Sequence, residues 1–147
     1  MKNFKYWKRL IVVLFIVVSL FGSAAAQGDV KGMFIVVTSP DPQTQMMAMV
    51  LATQIAMKGK KSQVLLCGFA GDLALKESTE VILKPNNKSP QMLMKNLIKL
   101  GVTVEVCALY LPNKGKAMAD LVPGVSPAKP PAIAEALLEP GVKLFTF

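Results

Sequence analysis

Apolar residues fall in short runs along this chain, separated by turn residues. Gly32 to Thr38 (GMFIVVT) is continuous and rich in β-branched residues, the pattern of a strand buried on both faces. Ser39-Pro40-Asp41-Pro42 then reads as a turn, and Gln43 to Lys58 as a helix with Gly59 at its stop. Ala48, Ala52 and Ala56 recur every four residues, a stripe that lets a helix lie close against a sheet. Met46, Met47, Met49, Val50, Leu51, Ile55 and Met57 leave that helix little polar surface. Such a helix is either sandwiched in the fold or covered by a partner subunit.

The alternation continues. Ser62 to Cys67 (SQVLLC) is a second strand, Phe69 to Glu77 a loop or short helix, and Glu80 to Leu83 a small extra strand. After the polar Lys84 to Lys88, Ser89-Pro90 supplies a helix start, with serine at the N-cap and proline at the first turn. Gln91 to Leu100 places Leu93, Met94, Leu97 and Ile98 on one face, and Gly101 stops it. Val102 to Cys107 (VTVEVC) is a third strand, whose Thr103 and Glu105 mark a more exposed side. Lys114 to Leu121 reads as a short helix ended by Pro123-Gly124. Pro130-Pro131 opens a helix over Ala132 to Glu139, and Val142 to Phe147 is the closing strand. Strands alternating with helices imply parallel pairing through right-handed crossovers. The expected fold is α/β, a three-layer α/β/α domain with a mainly parallel sheet of four or five strands.

The start of the chain breaks this rhythm and changes how composition is read. Lys2, Lys5, Lys8 and Arg9 precede Leu10 to Phe21, apolar but for Ser19, and then Ala24-Ala25-Ala26. This is the pattern of a secretory signal peptide over residues 1–26, cleaved after Ala26. The apolar run is shorter than the roughly 20 residues that span a bilayer, so no stable membrane span is expected after cleavage. Residues 27–147 then form a single domain in the periplasm or another export compartment. The whole chain carries +8, from 17 basic and 9 acidic residues. Residues 27–147 keep 13 lysines, no arginine and all 9 acids, a net +4. Without arginine there is no bidentate reader of phosphate or guanine, and Tyr110 is the only tyrosine left. Nucleic acid is therefore not an expected partner.

The chain has no histidine and two cysteines. This excludes Ser-His and Cys-His dyads, His-containing or four-cysteine zinc sites, and a histidine pH switch. Gly68-Phe-Ala-Gly71 lacks the Gly-Lys-Ser/Thr ending of a phosphate loop, and no Gly-x-Gly-x-x-Gly follows the first strand. No cofactor is expected. Ligands collect at the carboxyl ends of parallel strands, and Cys67 and Cys107 both fall at strand ends. Loop N–H groups and a following helix can lower a thiol pKa there, and Lys114 and Lys116 follow Cys107 within reach. Cysteine is also a common buried filler, so each has a purely structural reading. A Cys67–Cys107 disulfide needs Cα atoms within about 7 Å, which adjacent strands allow. An intervening strand would put them roughly 9–10 Å apart. Met46, Met47 and Met49 could offer thioethers to Cu(I), although methionine in an apolar helix is more often core or interface.

Four passages together resemble the DsrE/DsrF-like family. They are Phe34-Ile35-Val36-Val37-Thr38 with its helix, Leu100-Gly101-Val102 running into Val104-Glu105-Val106-Cys107, Asp120-Leu121 with Gly124-Val125, and the ending Val142 to Phe147. The resemblance implies a DsrEFH-like α/β/α fold and a homo-oligomer, a trimer or hexamer or else a dimer. It also implies sulfur trafficking, with the strand-end cysteine, Cys107, carrying a persulfide between donor and acceptor proteins. Some relatives carry a second cysteine three residues on, where this chain has Tyr110. The basic position that follows matches Lys114 or Lys116, and Cys67 matches no family cysteine. Two other readings stand beside the carrier: a non-catalytic oligomeric binding module, and a periplasmic Cu(I)-binding protein.

Overall fold

Gly32–Val37 forms β1, which lies between β2 (Lys61–Leu66) and β5 (Val142–Thr146). Its register sets Ile35 beside Val64 on one flank and Phe145 on the other. The unbroken apolar run follows from this central place. Ile35 and Val37 enter the larger core, while Phe34 enters a smaller cluster with Leu65 and Ala128. The structure is a computed structural model and describes residues 29–147. The expected signal peptide over residues 1–26 and its cleavage site lie outside the described residues.

Among the described residues five strands make one all-parallel sheet in the order β4-β3-β2-β1-β5, with β3 at Thr103–Val106 and β4 at Val125–Pro127. From β1 to β4 each connection moves one place in the same direction. Right-handed crossovers therefore put α1 (Pro42–Met57), α2 (Pro90–Lys99) and α3 (Tyr110–Lys114) on one face. The connection from β4 to β5 returns across the sheet and carries α4 (Pro130–Leu138) over the other face. The result is the expected three-layer α/β/α arrangement.

The two outer layers differ in depth. Ala48, Met49 and Ala52 of α1 are fully buried, and Asp41 caps the helix by accepting from Thr44 N–H at 2.8 Å. The alanine stripe is what brings α1 down onto β1 and β2. Ser89 caps α2, accepting from Met92 N–H at 3.0 Å, and Met94 and Leu97 fill the core beneath it. Gln91 is buried and donates to the carbonyls of Leu73 and Leu75, at 3.0 and 2.8 Å. That ties α2 to the 3-10 helix Gly68–Ala74. On the opposite face α4 buries no residue fully, and only Ile133 and Ala136 pack against the small cluster.

Three expectations need correction. Glu80 to Leu83 is not a strand, and its only pairing is the isolated bridge from Leu83 to Lys88. Glu80 is instead tethered to the Ser89 hydroxyl and to Lys95 at 3.0 Å, which holds the segment as a loop. The helix expected over Lys114 to Leu121 is replaced by α3, which starts earlier, and a single 3-10 turn at Met118–Asp120. Asp120 closes that turn by accepting from Ala117 N–H at 2.7 Å. The edge strand β4 has no counterpart in the sequence pattern.

Candidate functional site

β2 and β3 end side by side, with Leu66 opposite Val106. Both ladders stop one residue short of the expected ends, so Cys67 and Cys107 are the first residues beyond them. Cys67 N–H donates to Val37 O, and Cys107 N–H donates to Leu66 O, each at 2.8 Å. These bonds hold the two cysteines level at the carboxyl edge of the sheet. Gly68 follows with φ +54, a conformation that L side chains rarely adopt, and turns the chain sharply into the 3-10 helix.

Cys107 lines a cavity of about 330 Å³ together with Gly68, Phe69, Leu109, Tyr110, Asn113 and Lys114. Phe69 and Leu109 are 66% and 69% exposed and flank the opening. Tyr110, Asn113 and Lys114 come from α3, which starts directly after the turn whose Tyr110 N–H donates to Cys107 O at 2.8 Å. Asn113 is fixed by its amide, which donates to Leu109 O at 2.7 Å.

Asp72 organises the polar side of this cavity. The Tyr110 hydroxyl donates to Asp72 Oδ1, and Lys114 Nζ lies 2.9 Å from the same oxygen. The Lys114 ammonium also sits 5.7 Å from the centre of the Tyr110 ring. Burial opposes the Asp72 charge, but the Tyr110 hydroxyl and Lys114 outweigh it and hold the carboxyl below its usual value. Burial and the bond to Asp72 push the Tyr110 hydroxyl upward, so it stays a donor. The ring rests on Gly71, where an added Cβ would collide with it. Asp72 carried no recognisable spacing in the sequence. Its place five residues after Cys67, on the turn that rises beside α3, is what gives it this role.

Cys67 lies beside Cys107 without lining the cavity, half-buried against the Phe34 and Leu65 cluster. Its thiol is pushed up to about 11, by burial first and then by the charge and hydrogen bonding of Cys107. Both thiols are free. The strand order answers the question left open by the sequence: β2 and β3 are neighbours with no strand between them, the arrangement that allows a bridge.

The remaining candidates separate. Lys114 reaches the cavity with its ammonium engaged by Asp72, while Lys116 pairs with Glu77 at 3.2 Å and lines a different cavity. Met49 is fully buried and Met47 is 52% exposed, so the three thioethers of Met46, Met47 and Met49 do not converge.

No protein-family model matches the chain, and no curated protein matches it. Solved structures do. YchN from E. coli aligns with TM-score 0.58 and 18% identity over 78% of this chain and 98% of its own. MTH1491 from Methanobacterium thermoautotrophicum, a protein of unknown function, aligns with TM-score 0.59 and 15% identity over 81% and 100%. BT1422 from Bacteroides thetaiotaomicron, a conserved protein of unknown function, aligns with TM-score 0.59 and 18% identity over 86% and 100%. At these identities the likeness is one of fold.

Proposed function

We propose that this chain is an exported, DsrE-like sulfur carrier that holds sulfane sulfur on Cys107. The observation that carries this reading is the position of Cys107, at the carboxyl end of an inner strand and facing a largely apolar cavity with one polar wall. The fold shared with YchN and the strand-end cysteine are what the DsrE resemblance leads one to look for. In the loading step the Cys107 thiolate attacks the outer sulfur of a donor persulfide. A bond forms from Cys107 Sγ to that sulfur, the donor S–S bond breaks, and the donor leaves as a thiolate. In the unloading step an acceptor thiolate takes the same sulfur and Cys107 leaves. Tyr110 and Lys114, tied together by Asp72, line the cavity onto which Cys107 opens. With no histidine in the chain, protons are exchanged with water or with these groups.

Incubating the reduced protein with inorganic polysulfide and weighing it intact tests this reading. After a brief exposure the parent should gain the mass of sulfur atoms, and Cys107→Ser should not. Equal gain by both excludes Cys107 as the carrier. The non-catalytic assembly module remains a second reading, favoured by Leu138, Leu144 and Phe145, which are 81%, 56% and 42% exposed. A Cys107 that resists alkylation in the native protein favours that module instead.

A further inference from the structure

The carrier reading uses one of two neighbouring thiols and leaves Cys67 without a task. Four observations bear on it. Cys67 and Cys107 each follow the last registered pair of β2 and β3, Leu66 and Val106. Neighbouring strands lie about 4.8 Å apart, inside the Cα separation of roughly 4.4–6.8 Å that a disulfide accepts. Both cysteines sit just past the ladder, and after Cys67 the chain turns away sharply at Gly68, whose φ is +54. Only Cys107 opens onto the cavity, with Cys67 set against the small core cluster beside it. A donor arriving through the cavity therefore meets Cys107 first, and the second thiol is within covalent reach but off the entry path.

We infer that Cys67 is the resolving thiol of this site: it attacks Cys107 Sγ of the persulfidated chain, expels hydrosulfide and leaves a Cys67–Cys107 disulfide. This rests on Cys107 being the sulfur-bearing residue. The step balances without an added oxidant. The Cys67–Cys107 S–S bond forms as the bond from Cys107 Sγ to the outer sulfur breaks. The outer sulfur is reduced to sulfide, the two thiol sulfurs are oxidised to disulfide, and the Cys67 proton departs with the leaving sulfur as hydrosulfide. Burial first, and then the neighbouring Cys107, push the Cys67 thiol up, so it enters the step carrying its proton. A small dithiol reductant reopens the disulfide for another round. Sulfur on Cys107 thus has two exits: an acceptor thiol that arrives in time, or release as sulfide through Cys67.

The test is a time course on the reduced parent, Cys67→Ser, Cys67→Ala and Cys107→Ser. Each is treated briefly with inorganic polysulfide and desalted. Intact mass and free sulfide are then followed together. The parent should first gain one sulfur atom, then become two hydrogens lighter than the reduced chain while releasing one sulfide per molecule. Both Cys67 variants should keep the added sulfur and release none, and Cys107→Ser should not load. If the parent and the Cys67 variants hold the added sulfur equally long, the resolving role is overturned while the carrier reading survives. If the Cys67 variants take up no sulfur and the parent neither loads nor releases sulfide, the carrier reading fails and the resolving step fails with it.

Discussion

The chemistry of the site turns on single residues whose neighbours set their charge. Asp72 has an ordinary sequence context, yet it anchors Tyr110 and Lys114 around the cavity. Its carboxyl is held below the usual 3.8 in the folded chain. A depressed carboxyl stabilises the fold fully above its unfolded value, and that contribution is lost as pH falls through the folded value. Asp72→Asn should therefore lower the urea midpoint at neutral pH, and the gap from the parent should close in acid below about pH 4. Both partners are nearly half exposed, at 46% and 44%, so the gap at neutral pH stays under about 1 kcal/mol. A gap that widened in acid would contradict this account of Asp72. Neither the Asp72 hub nor the collision that keeps position 71 a glycine was legible in the sequence. Both depend on two segments separated by a strand and a helix coming together.

At the scale of elements, local signals were readable wherever burial and capping agreed. Ser89 at an N-cap before Pro90 marks the start of α2, and the structure buries that serine completely. Ser89→Ala removes the cap and the partner of Glu80, and should cost about 1–2 kcal/mol, seen as a lower urea midpoint with unchanged slope. No loss of stability would mean that the cap is replaced by water. The strands β1, β2, β3 and β5 were visible as apolar runs. β4 was not, because Val125–Pro127 is three residues long, has proline at its end and pairs along only one edge. The helix between β3 and β4 was misplaced for a related reason. Pro112 lies in the first turn of α3, where its missing N–H removes no bond, and Gly115 ends the helix after five residues. The rest of the stretch expected to be helical, up to Leu121, holds only the 3-10 turn at Met118–Asp120.

At the scale of the molecule, the sheet is well covered on one face and thinly on the other. β5 is an edge strand with Leu144 and Phe145 exposed, and Leu138 at the end of α4 is exposed as well. Exposed edges and apolar patches of this kind invite association. The protein should sediment as a homo-oligomer, and Leu144→Lys combined with Phe145→Lys should shift it toward the mass of one chain. A parent that sediments as a single chain at micromolar concentration would contradict this. The fold also separates two cysteines that the strand pattern placed alike: both follow inner strands, but only Cys107 faces the cavity. The central claim is that this one carries sulfur. The most direct measurement exposes the reduced protein briefly to polysulfide, alkylates at once, digests it and maps the added sulfur by peptide mass. The account predicts the extra sulfur on the peptide containing Cys107. Extra sulfur only on the peptide containing Cys67, or on neither, would contradict it.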